Sequence, residues 1–264
     1  MRHWLSTIIL VGLVAVGGVL SGSTQPDTTL DVMSSGGFSA AYQVLSAEFS
    51  RNTQIALNTV YGASMGGAPT SIPNRLGRGE PADVVILASE GLEYLIAREH
   101  VVAHSRVDLA ASLIGMAVRS GASVPDIGTV EAFIHTLLEA DSIAYSASAS
   151  GTYLSTQLFP RLEIADQVAD KSLRVVGERV GAVVARGGAA IGFQQVSELL
   201  PIAGITYVGT IPDEVQKVTL FSAGITTRAR NRDAAKALID FLASPRAAPT
   251  IADTGMEPRA GGSR

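Results

Sequence analysis

The sequence contains no cysteine among its 264 residues. Disulfides, thiolate metal sites, a cysteine nucleophile and lipid attachment through an N-terminal cysteine are therefore excluded. The HExxH, Walker-type, GxSxG and GxGxxG motifs are also missing. His100, His104 and His135 fall in predicted surface segments, so we expect no histidine base, no metal site and no cofactor.

The sequence is also poor in charge, with 17% charged residues and a net charge of -4. This balance gives no reason to expect nucleic acid or an anionic membrane surface as a partner. Hydrophobic residues make up 47% of the chain, which favours a globular fold over disorder. The length is sufficient for one large domain or for two lobes, each with its own core.

The N-terminus has the three-part pattern of a secretory signal. Arg2 and His3 precede an apolar run from Leu5 to Leu20, and small residues follow from Ser21. The alternative is a membrane anchor, but the run of about 16 residues is short for a span. We therefore predict that residues 1–23 are a cleaved signal peptide and that the protein is exported to a bacterial periplasm. No later segment is long and apolar enough to cross a bilayer.

From Leu30 onward, short apolar runs alternate with amphipathic helical windows. Strands are predicted at Leu30–Met33, Ile55–Val60, Val84–Leu87, Ile114–Val118, Ser142–Tyr145, Leu173–Val176, Ala190–Phe193 and Val218–Ile225. Helices are predicted at Phe38–Phe49, Glu90–Glu99, Val130–Ala140, Thr152–Leu162, Val180–Arg186 and Asp233–Leu242. This order predicts an α/β fold with two lobes, each a mainly parallel sheet flanked by helices, and a ligand cleft between them.

Ligands in such folds bind beyond the carboxyl ends of strands, where helices begin. Five predicted junctions of this kind are rich in serine, glycine or side-chain amides. They contain Ser34-Ser35-Gly36-Gly37, "YGASMGGAPTS" with Ser64, "SASASGTY" with Ser150, Thr152 and Tyr153, Gly177-Glu178-Arg179, and Gln194-Gln195. One such junction is explained by helix capping, but five favour a polar ligand cleft.

Arg179 is the most specific single residue in these junctions. It follows a predicted strand in a region with few charges, and a guanidinium can hold a carboxylate through two hydrogen bonds. The alternative is an ion pair with the neighbouring Glu178.

The chain resembles the two-lobed (type II) periplasmic solute-binding proteins of the molybdate-binding type. The resemblance runs from about Leu30 to Pro258 and is carried by "GRGEPADVVILAS", "GAVVARGGAAIGF" and "AAKALIDFLASPRAAPTIADTGMEP". It implies a first lobe of residues 28–110 plus 219–258 and a second lobe of residues 111–218. The C-terminal segment "RAGGSR" independently predicts a disordered tail at residues 259–264. The implied crossovers lie near Asp108–Ile114 and Val215–Ser222.

The residues that hold molybdate in that family match less well. Gly37 stands at the first ligand serine's position, with Ser64 near the second, and Gln195 replaces a tyrosine. Arg179 stands where the family has a small apolar residue. An oxyanion held by neutral donors does not need an arginine, whereas an organic polycarboxylate does. These departures point away from molybdate.

"SASASGTYLSTQLFPRL" and "IGFQQVSELLP" are similar to a group of enzymes with this fold, the periplasmic aconitate isomerases of pseudomonads. That resemblance implies an allylic proton shift that interconverts cis- and trans-aconitate, performed by a monomer without a cofactor. The candidate ligand donors are Ser34, Ser35, Gly36, Gly37, Ser64, Ser150, Thr152, Arg179 and Gln195, and the candidate bases are Glu178 and Tyr153. The alternative is a receptor without catalytic activity, which delivers a small anion to an ABC permease.

Overall fold

A computed structural model describes residues 28–259 of the protein. The predicted signal peptide lies outside these residues, and so do residues 260–264 of the predicted tail. Arg259, the first residue of that tail, donates its backbone N–H to Leu109 O at 2.9 Å. The folded chain therefore extends at least through Arg259.

The described residues form eleven strands and eleven α-helices. The strands are β1 (Thr29–Ser35), β2 (Ala56–Gly62), β3 (Val84–Ala88), β4 (Val107–Ser112), β5 (Ile114–Arg119), β6 (Ile143–Ser146), β7 (Ser172–Val175), β8 (Ile191–Gln195), β9 (Ile205–Thr210), β10 (Thr219–Ile225) and β11 (Glu257–Pro258). The helices are α1 (Gly36–Thr53), α2 (Ile72–Gly77), α3 (Ser89–Ala97), α4 (Val130–Glu139), α5 (Ala149–Tyr153), α6 (Phe159–Arg161), α7 (Ala165–Ala169), α8 (Val180–Ala185), α9 (Val196–Leu199), α10 (Arg232–Leu242) and α11 (Ala248–Ala252). A π-helical turn, Leu154–Leu158, joins α5 to α6.

The strands assemble into two sheets, and each sheet with its helices forms one lobe. The first sheet has the order β11-β4-β10-β3-β1-β2, and the second has the order β7-β6-β8-β5-β9. The predicted two-lobed α/β fold is confirmed, but the prediction of mainly parallel sheets is wrong. Only β2-β1-β3 and β7-β6-β8 pair in parallel, whereas β10, β4, β11, β5 and β9 all pair antiparallel.

Helix α1 is held to the first sheet by one stripe of apolar side chains. Phe38, Tyr42, Leu45 and Phe49 recur three or four residues apart and are all buried, as their spacing predicts. The Tyr42 hydroxyl also hydrogen-bonds with Thr59 Oγ1 at 3.0 Å. This packing fixes the direction in which the N-terminus of α1 points.

The chain passes between the lobes twice, at neighbouring positions. Leu113 alone separates β4 from β5, and residues 211–218 lead back from β9 to β10. Gln216 joins the two crossovers, because its Oε1 accepts the N–H of Ile114 at 2.9 Å and its Nε2 donates to Ile114 O at 3.0 Å. The same Nε2 reaches Ile211 O at 3.3 Å. These bonds tie the crossover segments to each other.

Candidate functional site

A cavity of about 430 Å³ lies between the lobes. It is bordered by residues at the carboxyl ends of β1, β2, β6, β7 and β8 and in the helices or loops that follow them. Eight of the predicted site residues line it: Ser35, Gly36, Gly37, Ser64, Ser150, Glu178, Arg179 and Gln195. The five junctions singled out in the sequence therefore converge on one cavity.

The first wall is the N-terminus of α1, which the chain enters directly from β1. Ser35 occupies the N-cap position, but its side chain makes no capping hydrogen bond. Its Oγ is buried and has no hydrogen-bond partner among the described residues. The first N–H groups of an α-helix have no acceptor within the helix. This helix start therefore offers a hydroxyl and backbone N–H groups to an anion.

Gly36 and Gly37, the first two residues of α1, leave the start of this helix without side chains. A Cβ added to Gly36 would collide with Glu198 Oε1, and one added to Gly37 would overlap the ring of Phe221. Any larger residue would have to push one of these side chains aside. Glycine at position 36 thus lets α1 approach Glu198 of the second lobe closely, and glycine at position 37 makes room for the Phe221 ring of its own lobe.

Arg179 faces α1 from the second lobe. Its Nη2 donates to Ser39 Oγ at 2.9 Å, and Ser39 Oγ donates in turn to Gly36 O at 2.7 Å. The alternative ion pair with Glu178 does not form, because Glu178 binds Arg186 through two hydrogen bonds of 2.6 and 2.8 Å. Arg179 makes no salt bridge with any described residue, so its charge remains available to a bound anion.

Neutral polar side chains complete the walls of the cavity. Gln195 donates from Nε2 to Thr219 Oγ1 at 2.9 Å, and its Oε1 has no partner among the described residues. The Ser64 hydroxyl accepts the N–H of Ala88 at 2.9 Å, which fixes the oxygen and leaves its own hydrogen available. The Ser64 N–H donates across the cleft to Ser148 Oγ at 3.2 Å. The lobes are therefore in direct contact around the cavity.

Glu198, one turn after Gln195, is a cavity residue that the sequence analysis missed. Burial raises the pKa of its carboxyl group to about 7. The positive charge of Arg179 and hydrogen bonds from the Gln194 side chain and the Gln195 backbone act in the opposite direction but do not outweigh burial. A usable signal was present in the sequence: a carboxylate three residues beyond a strand-to-helix junction lies on the same helix face as that junction.

Three predicted site residues do not line the cavity. Ser34 is completely buried, and its Oγ points to Ser35 O at 3.4 Å. The predicted helix at Thr152 begins at Ala149 instead, so Thr152 and Tyr153 lie beyond the two residues, Ala149 and Ser150, with which the helix borders the cavity. The Tyr153 hydroxyl donates to Val215 O at 2.8 Å in the second lobe. The geometry therefore does not support these three residues as ligand or base residues.

Glu178 lines the cavity, but its surroundings are unlike those of a base. Its hydrogen bonds to Arg186 keep its pKa below the ordinary value for a glutamate. A strongly paired carboxylate is a poor proton acceptor at neutral pH. The proposed role of Glu178 as a base remains a prediction that its contacts do not support.

Within residues 28–259, no group of three or more histidine, aspartate or glutamate side chains could hold a metal ion. Over the same range, no helix has both the length and the apolar character needed to cross a membrane.

The chain belongs to the bacterial extracellular solute-binding proteins, whose family profile matches residues 30–257. The chain is 46% identical over 250 residues to an aconitate isomerase of a Pseudomonas species. The match covers 93% of this chain and 95% of that relative. The resemblance inferred from the sequence segments is therefore confirmed.

Proteins named for molybdate binding are more distant. The molybdate-binding protein of Azotobacter vinelandii is 26% identical over 90% of this chain and 94% of its own length. A solved structure of the periplasmic molybdate-binding protein from that organism superposes with a TM-score of 0.68 at 19% identity, covering 86% of this chain and 98% of that one. This superposition supports the fold alone.

Proposed function

We propose that the protein is an isomerase that interconverts cis- and trans-aconitate in the cavity between its lobes. The observation that carries the proposal is the 46% identity to an aconitate isomerase, which extends over nearly the full length of both chains. A match of that extent includes both lobes and every segment that borders the cavity. The chemistry of the cavity walls supports the same substrate class.

Aconitate carries three carboxylates, and each one removed from water needs strong hydrogen-bond donors. The cavity offers the Arg179 guanidinium, the free Ser35 hydroxyl and the N–H groups at the start of α1. The Ser64 and Ser150 hydroxyls provide further neutral donors around it, and Gln195 adds the second hydrogen of its Nε2, the first being bonded to Thr219 Oγ1. A guanidinium is the group expected for an organic carboxylate, and an oxyanion bound by neutral donors has no need of it.

The reaction is an allylic proton shift. A base removes a proton from the methylene carbon, and the negative charge spreads over the conjugated carboxylate. Proton return to the former alkene carbon gives the other isomer. Donors fixed in place where the charge develops stabilise the transition state more than the ground state. The N–H groups of α1 and Arg179 are candidates for this task.

The second candidate is a receptor that delivers a small anion to an ABC permease. The observation in its favour is membership in the extracellular solute-binding proteins, whose fold serves binding without chemistry. Both functions use the same donors, so only a test for turnover separates them.

Location and assembly are part of the proposal. Arg2, the apolar run from Leu5 to Leu20 and the family membership support a cleaved signal peptide at residues 1–23 and a periplasmic location. We propose that the mature protein acts as a monomer, because the cavity is bordered by the two lobes of a single chain.

The test is proton NMR of trans-aconitate in deuterated buffer with the protein lacking residues 1–23. We expect catalytic appearance of cis-aconitate and deuterium replacing the methylene hydrogens. Arg179→Ala should lower kcat/KM by about 100-fold or more, because a charged hydrogen bond is worth about 1.5–3 kcal/mol and its loss leaves a buried carboxylate unpaired. The matched control is Arg161→Ala, which removes an exposed arginine of the second lobe that does not line the cavity.

Other outcomes would reject the isomerase. Thermal stabilisation by trans-aconitate without turnover would identify a polycarboxylate receptor. Stabilisation by molybdate alone would identify an oxyanion carrier and overturn the argument from Arg179.

A further inference from the structure

We propose that Glu198 is the catalytic acid–base group of the cavity and that Gln194 is the residue that positions it. This inference rests on the proposed isomerase function and names the residue that would move the proton.

Glu198 lies at a point where the two lobes are in contact. The residue belongs to α9 in the second lobe, yet its Oε1 lies so close to Gly36 that a Cβ there would collide with it. Ser197, the preceding residue, donates its hydroxyl to Gly37 O at 2.6 Å and fixes α9 against α1. The carboxyl group therefore reaches the helix start where a substrate carboxylate would be held. A substrate bound there would have its neighbouring carbon atoms close to Glu198.

The orientation of Glu198 is set by Gln194. Gln194 Oε1 accepts the N–H of Val180 at 2.8 Å, so its Nε2 must point the other way. That Nε2 donates to Glu198 Oε1 at 2.9 Å. The amide thus links the carboxyl group to the backbone at the start of α8. A catalytic group held by such a bond stays in one geometry through the reaction.

The competing groups of the cavity are engaged elsewhere. Glu178 is held in its ion pair with Arg186, and the Tyr153 hydroxyl is bound to Val215 O. No histidine lines the cavity within the described residues. Of the carboxyl groups that line it, only Glu198 makes no salt bridge.

The electrostatic surroundings suit a group that both takes and returns a proton. With a pKa of about 7, Glu198 populates its carboxylate and carboxylic acid forms together near neutral pH. Arg179 is the charged side chain among the described residues whose field acts on it. A bound tricarboxylate would add negative charge nearby and favour the protonated form further.

The step balances without any further reagent. The Glu198 carboxylate takes a proton from the methylene carbon, and the electron pair of that C–H bond forms a new double bond to the central carbon. The electron pair of the former double bond is carried by the far carbon and its carboxylate. Delivery of one proton from the Glu198 carboxyl group to that carbon completes the shift.

The test compares four variants in the NMR assay and in calorimetric binding of trans-aconitate. Glu198→Gln should lower kcat by about 100- to 10,000-fold, the usual contribution of acid–base catalysis, and should still bind trans-aconitate. Gln194→Met should lower kcat and move the midpoint of the pH profile upward, because it removes a hydrogen bond that favours the charged form.

Glu178→Gln should lose far less activity than Glu198→Gln. Glu131→Gln, an exposed residue of α4 that does not line the cavity, is the control and should behave like the wild type.

The pH profile of the wild type provides an independent reading. Its kcat/KM should rise with pH through a midpoint near 7, because only the carboxylate form of Glu198 accepts a proton. Glu198→Asp keeps a titrating base one methylene further from the substrate and should keep a weakened version of this rise. If Glu198→Gln does not fold, the pH profile of Glu198→Asp tests the role of Glu198 instead.

The inference is overturned if Glu198→Gln retains turnover within a few-fold of the wild type, or if the wild-type profile has no rise near pH 7. It is also overturned if Glu178→Gln loses the activity instead. A wild type that binds trans-aconitate without converting it would reject the proposed isomerase itself, and the role of Glu198 with it. The two failures are distinguished by whether the wild type turns over.

Discussion

Glu198 combines a partly buried carboxyl group with a raised pKa, and this combination lowers the stability of the folded protein at high pH. The folded-state pKa of about 7 lies above the ordinary value of 4.5, so the folded protein holds this proton more tightly than the unfolded chain does. The stabilising contribution is therefore complete below pH 4.5, and it is lost as the pH rises to about 7.

We predict that Glu198→Gln raises the melting temperature relative to the wild type at pH 8 by a few degrees, and by less at pH 5. The reason is that glutamine occupies the same space without a charge to desolvate. Calorimetric melting at both pH values measures the effect, with Glu131→Gln as the control. Equal differences at pH 5 and pH 8 would contradict the prediction.

At the level of single residues, the sequence predicted the neutral donors of the site better than its acid–base chemistry. Serines and glycines at strand ends can be recognised from the sequence because strand-to-helix junctions mark the ligand edge of an α/β sheet. Glu198 was missed because its burial and its contact with α1 arise from packing between the lobes, which no local pattern encodes. Thr152 and Tyr153 were included because the predicted helix began three residues later than the observed one.

Helix α1 lacks the side-chain hydrogen bond that usually stabilises the first turn of a helix. An N-cap serine normally bonds a backbone N–H of the first turn, and its loss costs about 0.5–2 kcal/mol. Ser35 makes no such bond, and its buried hydroxyl has no partner among the described residues. The hydroxyl therefore contributes nothing to folding through hydrogen bonding.

We predict that Ser35→Ala changes the free energy of unfolding by less than about 0.5 kcal/mol, because no capping bond is lost. The same variant should weaken trans-aconitate binding by about 10- to 100-fold, through loss of a hydrogen bond to a charged group. Urea unfolding and calorimetric titration measure the two effects.

The matched control is Thr129→Ala, at the start of α4. Thr129 does cap its helix, accepting the N–H of Ala132 at 3.2 Å. This variant should lose about 0.5–2 kcal/mol of stability and keep its affinity. The prediction fails if Ser35→Ala is destabilised as strongly as Thr129→Ala.

The elements themselves were predictable to different degrees. Helix α10 and the stripe of α1 have strong apolar periodicity, and they fall close to their predicted positions. Strands β4, β9 and β11 were missed. Ala-rich β4 and two-residue β11 carry little strand signal, whereas β9 does carry one in its Ile, Thr, Tyr and Val residues, and the prediction passed over it. Missing them also led to the wrong prediction of mainly parallel sheets, since all three pair antiparallel.

For the whole molecule, Gln216 reinforces a backbone link between the crossovers, in which the Ile211 N–H donates to Ile114 O at 3.1 Å. Its side chain occupies the N–H and carbonyl of Ile114 and contacts Ile211 O, so one residue joins both crossovers. Removing these bonds leaves buried backbone groups without partners, which costs about 1–3 kcal/mol.

We predict that Gln216→Met lowers the free energy of unfolding by that amount, about 1–3 kcal/mol. It should also raise the radius of gyration of the ligand-free protein in X-ray solution scattering, because fewer hydrogen bonds then hold the crossovers together. Gln167→Met, which replaces an exposed glutamine of α7, should change neither quantity. An unchanged radius of gyration in Gln216→Met would show that the crossovers hold the lobes without this side chain.

The contacts across the cleft have a consequence for the rate of turnover. Arg179 reaches Ser39, and the Ser64 N–H reaches Ser148, so the cavity is closed by a few bonds between the lobes. A transport receptor gains from a long ligand residence time, whereas an enzyme must release its product in every cycle. In an isomerase of this architecture, the parting of the lobes becomes a step of the catalytic cycle. Its speed sets an upper limit on kcat, so a more viscous solvent, which slows the motion of the lobes, would slow catalysis wherever this step limits the rate.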